Sequence, residues 1–422
     1  MLSRWASTTF GALRYRDFRI LWIGSSISFL GFMMSFVVSS VVAFDLTGKN
    51  AAVGLVGLGQ GVASILLSPI GGVVADRVSK RLLVLVGQVA IGLTFLTTGI
   101  LIVGDWITIP LLVGSMFMLG VVFAFIGPAR QAWLGDLLPR EAMPNGVALQ
   151  QISMTGTRII GPLTAGILVG VAFVGSGGTY IFMGSLFVFV IATTLMLPKT
   201  KARQDAQRKS VAGDMKLGIS HVTGRPRLAL LVLTFIGIVL LGFSWQVLLP
   251  GLLENELGHS PKHVGWLMTA SAISGLAMTL GMAGYAGTRH AWRIMFGAAI
   301  VLGVSLILMG WAPSYAAALV VMLGVGAGGG VFQMMNNSLV MQQSEPEYFG
   351  RVMSLTMMAW GFNGLAGLPF GIMADGMGER QTLVLMGVLV MVATMVAAFA
   401  HLVIDRRAAG GTVLAARVAG GK

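Results

Sequence analysis

Four charges crowd into six residues, Asp76, Arg77, Lys80 and Arg81, within the stretch GGVVADRVSKRLLVL at residues 71–85. A carboxylate among three cations can form ion pairs, and Asp76 can reach the first amides of a neighbouring helix. For Arg77 and Arg81 the candidate acidic partners from other inner loops are Asp136 and Glu141. This chemistry fastens and releases; it does not break bonds. A second candidate is Arg158, in SMTGTRIIGP, whose planar fork suits an anionic or phenolate group or several carbonyls at once. The third set is neutral: Gln60, Gln88, Gln150, Gln151, Gln246, Gln333, Asn336, Asn337 and Asn363 all interrupt apolar runs. Each costs free energy in hydrocarbon unless it faces protein or water.

Several chemistries are excluded. Cysteine is absent, so there are no disulfides, thiolate metal sites or thiol redox steps. GVGAGG at 324–329 fits a dinucleotide pattern but lies in an apolar run with no preceding strand, so its glycines read as packing. No G-x-x-x-x-G-K-[ST] phosphate loop occurs. The five histidines, His221, His259, His263, His290 and His401, show no metal-ligand spacing. The expectation is a non-enzyme without metal or cofactor.

The elements that position these residues follow from hydropathy. The chain is 56% hydrophobic and 10% charged, too oily to cover the surface of a soluble 422-residue protein. A membrane-spanning helix needs about 20 mostly apolar residues. Twelve runs qualify, at about 18–44, 51–75, 82–104, 107–128, 147–172, 180–197, 228–250, 263–284, 293–311, 315–337, 351–374 and 380–403. With both termini inside, 24 of the 28 Lys and Arg lie in inner segments or at their helix ends. Lys49, Lys262 and Arg380 fall outside, and Arg158 lies mid-membrane. The basic excess therefore reads as topology and contact with lipid headgroups, not as nucleic-acid binding.

The predicted organisation is all-α, with six spans in 1–197, a linker at 198–227, six spans in 228–403 and an inner tail at 404–422. In the linker Val211, Met215, Ile219 and Val222 recur at helical spacing, which predicts an amphipathic helix on the inner leaflet. The halves read as a duplication. A shift of 212 residues lays GGVVADRVSKR on AGYAGTRHAWR, and a shift of 205 aligns the segments ending at Gly166 and Gly371. Repeated halves with a midplane site between them are a transporter's architecture.

GGVVADRVSKRLLV resembles the loop 2–3 signature of the major facilitator superfamily, G-x-L-A-D-R-x-G-R-K-x-x-L. Gly72, Ala75, Asp76 and Arg77 match, Lys80 and Arg81 keep the basic pair, and Ser79 replaces the second glycine. LRYRDFRILWIGSSISFLG, GPARQAWLGDLLPREAMPNGVAL and RIIGPLTAG resemble the drug and siderophore exporter branch that includes the enterobactin exporter. The resemblance implies two pseudo-symmetric six-helix bundles in a bacterial inner membrane, with both termini cytoplasmic. It also implies export of an amphipathic small molecule by alternating access in exchange for protons, carried out by a monomer.

Under that resemblance, loop 2–3 with Asp136 and Glu141 is a latch between access states; the competing reading is a turn whose cations merely set topology. GPLTAG resembles the exporter motif G-x-x-x-G-P-x-x-G-G through Gly161, Pro162 and Gly166, with Ala165 in place of a glycine; ordinary small-residue packing competes. Relatives carry an acid after the helix 1 glycine, but here Gly31 is followed by Phe32. Asp45, Glu254 and Glu256 remain as acids for proton coupling, each at a helix end. Arg158, with Gln60, Gln88, Gln246, Gln333, Asn336 and Asn363, is the candidate substrate set. For Arg158 the alternative is structural, binding carbonyls freed by Pro162 and the amides of Gln150 or Gln151.

Overall fold

A computed structural model describes residues 11–198, 211–345 and 348–419. Its twelve long helices are α1 (Arg16–Thr47), α2 (Asn50–Arg77), α3 (Lys80–Val103), α4 (Ile109–Leu137), α5 (Met143–Gly170), α6 (Gly175–Leu195), α7 (Pro226–Gly242), α8 (Val264–Met282), α9 (Ala291–Gly310), α10 (Tyr315–Gln343), α11 (Phe349–Met377) and α12 (Glu379–Ala419). Among the described residues eleven of these are long and apolar enough to cross a membrane; α11, at 29 residues, is the twelfth long helix. The expected all-α, twelve-helix membrane fold is what forms.

Local chemistry sets the turns. Gly48, at φ +65°, closes α1 with its amide on the Phe44 carbonyl, so α2 starts two residues later at Asn50. Ser79 caps α3, its hydroxyl accepting from the Leu82 amide at 3.4 Å. Hydroxyls within the spans bond back to their own helix, as Ser35 does to the Phe32 carbonyl and Thr98 to the Thr94 carbonyl. That satisfies a polar group where no water is available.

Three boundaries differ from the hydropathy reading. α4 runs to Leu137, well past the end of its apolar stretch, so Arg130 is a helical residue inside the bundle and not an inner-end cation. α7 breaks after Gly242 into a 3-10 turn (Ser244–Leu248) and a π turn (Leu252–Glu256). α12 continues as helix to Ala419, through most of the expected tail. The linker does contain a helix, Val211–Thr223.

Within the N-terminal half α2 packs on α4, α3 on α6 and α1 on α5; in the C-terminal half α8 and α9 pack on α10, and α12 on α9. The glycines of GVGAGG serve this packing: a Cβ on Gly328 would lie 2.6 Å from the Leu302 amide of α9, and one on Gly326 would collide with the Ser271 carbonyl of α8. α10 therefore approaches both neighbours at backbone distance.

Candidate functional site

The two halves meet along two main seams, α2 on α11 and α5 on α8. Both are made of small residues. A Cβ on Gly54 would lie 2.6 Å from Leu368 Cα, one on Gly61 would lie 2.8 Å from the Gly361 carbonyl, and one on Gly371 would lie 2.5 Å from the Asn50 carbonyl. Across the other seam, a Cβ on Gly166 would lie 3.2 Å from Gly265 Cα, and one on Gly265 would collide with the Pro162 carbonyl. Gly161 turns the other way, toward Met33 of α1. Thus Gly161, Pro162 and Gly166 split between a contact inside the N-terminal half and a contact across to its partner half.

Polar ties reinforce the end of the molecule that carries Asn50. The Asp375 carboxylate accepts from the Asn50 and Ala51 amides at 2.7 and 2.9 Å, capping α2 from α11. The Asn50 side chain donates to Glu379 at 2.8 Å, as does Asn255 at 2.7 Å. Glu256, one of the acids considered for protons, is committed to Arg380. Asp45 and Glu254 are exposed at this same end. Hydropathy gives no hint of the Asp375 cap, because the two residues that meet are 325 apart in sequence.

Arg158 lies one turn from Pro162 on the stripe that continues to Gly166, and its side chain is exposed. Gln60, Gln246 and Gln333 are half-buried. Asn363 of α11 accepts from the Ser244 hydroxyl at 3.0 Å, which ties it to the break that follows α7.

Two members of the expected set are elsewhere. Gln88, 1% exposed, accepts from the Ser28 hydroxyl inside the N-terminal half, and Asn336, 0% exposed, is enclosed in the C-terminal half. Both sit on helix faces turned toward neighbours of their own bundle, which a count of polar residues in spans cannot distinguish from faces turned to the cleft.

Half-buried rings accompany the polar groups. Phe32 packs on Phe123 with centroids 3.9 Å apart and on Phe36 at 5.0 Å, while Phe243 meets Trp360 edge-on at 5.2 Å. Phe32 thus occupies the place after Gly31 with a ring, and its partner comes from α4. Such surfaces suit an amphipathic or aromatic ligand.

Loop 2–3 fastens the N-terminal half to itself. Lys80 pairs with Asp136 at the end of α4, and Arg81 donates to the Leu195 carbonyl that ends α6. Arg77 and Glu141 are exposed and form no ion pair with a described residue. The side chain of Asp76, and Gly72 beyond its backbone, lie outside the described residues. Among the described residues no group of three His, Cys, Asp or Glu converges as a metal site.

Comparison with known proteins agrees with this geometry. The chain is 28% identical to the staphyloferrin A transporter of Staphylococcus aureus over 377 residues, covering 84% of this chain and 89% of that one. It is 25% identical to multidrug resistance protein MdtH of Salmonella arizonae over 299 residues, 69% of each chain. Its fold matches the crystal structure of a bacterial homologue of the human lysosomal transporter Spinster with a TM-score of 0.74 at 12% identity, covering 92% of this chain and 97% of that one. The model of the Major Facilitator Superfamily matches residues 21–368. Paired six-helix halves, glycine seams between them and this family match agree: the chain is a transporter belonging to the Major Facilitator Superfamily.

Proposed function

We propose that the protein is a secondary active exporter that moves an amphipathic small molecule, of the siderophore, drug or lipid-like class, out of the cytoplasm by alternating access. The reading places it in a bacterial inner membrane with both termini inside. The observation that carries it is the seam between the halves, fastened at the Asn50 end by glycine contacts and the Asp375 cap, with Arg158 exposed further along the α5 stripe; we read the halves as parted there. With the termini inside, the fastened end faces outward and the Arg158 cleft faces the cytoplasm, the state in which an exporter loads. The named substrates of the relatives, a siderophore and multiple drugs, fit a cleft that offers one cation, several amides and aromatic walls.

Proton exchange supplies the driving force in this reading. No acid sits at the level of Arg158, so protons act through acids at the helix ends or through the charge of the substrate itself. The same fold run inward would make an importer, and a protein that binds without moving its ligand would be a sensor or scaffold. Uptake of candidate siderophores and drugs into inside-out vesicles decides among them. Export predicts accumulation that rises with an inward-acid pH gradient and collapses with an uncoupler. Accumulation only in right-side-out vesicles favours an importer, and binding without flux in either orientation favours a sensor. A reporter reading cytoplasmic at Gly258, or periplasmic after Arg203, overturns the orientation.

A further inference from the structure

Arg130 is the buried cation that the transport cleft does not use. It lies in α4, is 6% exposed, and forms no ion pair with any described residue. One terminal nitrogen donates to the Ser28 hydroxyl at 3.2 Å, and the guanidinium lies over the Phe29 ring at 5.3 Å. Its Nε has no hydrogen-bond partner. The nearby acid of the same helix, Asp136, is occupied by Lys80. A guanidinium taken out of water without a countercharge is among the costlier arrangements in a protein interior, and a ring face offsets it only in part.

Beside Arg130 is a small, partly open cavity of about 10 Å³, lined by residues of α1, α3, α4 and α6. That is about the room one water takes, so an anion of chloride size fits only if the lining side chains give by a few tenths of an ångström. Its polar lining is rich in unspent donors. Ser25 Oγ is buried and has no partner. Gln88 has its carbonyl occupied by Ser28, which leaves its amide NH2 to donate. The Thr193 and Thr194 hydroxyls already donate to the Val190 carbonyl. A water bound here could donate to the lone pairs of the Ser25, Thr193 and Thr194 hydroxyls but would leave the guanidinium without a countercharge, whereas an anion accepts from the same donors and supplies the missing charge.

We propose that this cavity holds one small monovalent anion, chloride in the cell, against Arg130 Nε and Ser25 Oγ. The duplicated half serves as an internal comparison. Arg130 and Asn336 are each the twenty-second residue of a twenty-nine-residue helix, α4 and α10. Asn336 is also fully buried, and both its amide atoms lack partners, but it carries no charge to balance. The anion therefore belongs to the N-terminal half alone, one per chain.

The test uses the full-length protein purified in detergent, with chloride exchanged for gluconate at constant sodium and ionic strength. Chloride and bromide should raise the unfolding temperature saturably. The rise should disappear in Arg130→Gln, and Ser25→Ala should need roughly tenfold more chloride for half the rise, the loss of one hydrogen bond to an ion. Crystals grown in bromide should show a single anomalous peak within hydrogen-bonding distance of Arg130 Nε, a readout that stands even if Arg130→Gln does not fold. Equal unfolding temperatures in chloride and gluconate would overturn the proposal, as would an Arg130→Gln protein that keeps the full rise. A cavity filled by water, with no bromide signal, would overturn it as well.

Discussion

At the scale of single residues, two arginines in apolar helices have opposite surroundings. Arg130 is enclosed in its own half, whereas Arg158 is exposed on the stripe that forms the seam with α8. An arginine at the membrane centre costs about 2.5–3.5 kcal/mol on insertion scales, so an exposed one there implies water or a ligand beside it. Arg158→Lys keeps the charge but loses the fork, and Arg158→Gln loses both. If Arg158 binds the anionic part of the substrate, Arg158→Gln should abolish export of an anionic compound and spare a neutral one, with Arg158→Lys in between. Vesicle flux with a matched pair of compounds measures this. Equal flux of both compounds in all three proteins would remove Arg158 from the binding set, and loss of folded protein would assign it to holding α5 around Pro162.

At the scale of helices, the seams put a value on each glycine. On α2, a Cβ at Gly57 would meet nothing within 4 Å, while one at Gly61 would lie 2.8 Å from the Gly361 carbonyl and 3.0 Å from Gly364 Cα. Both sites are helical, so helix propensity favours alanine equally at each, by about 1 kcal/mol. The difference between them then reports the seam alone. Gly57→Ala should be neutral or stabilising, and Gly61→Ala should be destabilised by about 1–3 kcal/mol through overpacking against backbone that cannot move aside. Thermal unfolding of the two variants under the same detergent conditions makes the comparison. Indistinguishable variants would mean that α2 and α11 are not held this closely.

At the scale of the whole molecule, alternating access requires the fastened end to open. Asn50 and Asp375 lie on opposite sides of the α2–α11 seam, with the Asn50 side chain 3.2 Å from the Asp375 carboxylate. The natural chain has no cysteine, so Asn50→Cys combined with Asp375→Cys introduces the only thiols. Oxidation should cross-link the halves within one chain and stop transport, and reduction should restore it. Full transport by a chain shown to be cross-linked would mean that this end never opens, which removes alternating access about the Arg158 cleft.

The sequence by itself determined the class of protein and its architecture. Twenty-residue apolar runs, punctuated by short charged turns, have one stable solution in lipid, because every backbone group must be satisfied within its own helix. The loop 2–3 signature around Asp76 carried the family, and the weak repeat carried the two halves. Which polar residues face the cleft, by contrast, was decided only in three dimensions. Gln88, Asn336 and Arg158 all read alike as polar residues in apolar helices, yet two are enclosed within their halves and one is exposed. Hydropathy averages around a helix and so loses the direction of each side chain. For the same reason Arg130 looked like a cation at a helix end: a polar residue can continue a membrane helix when it points into the bundle. The Asp375 cap on α2 joins residues 325 positions apart, and no local pattern in either segment records that the other will arrive there.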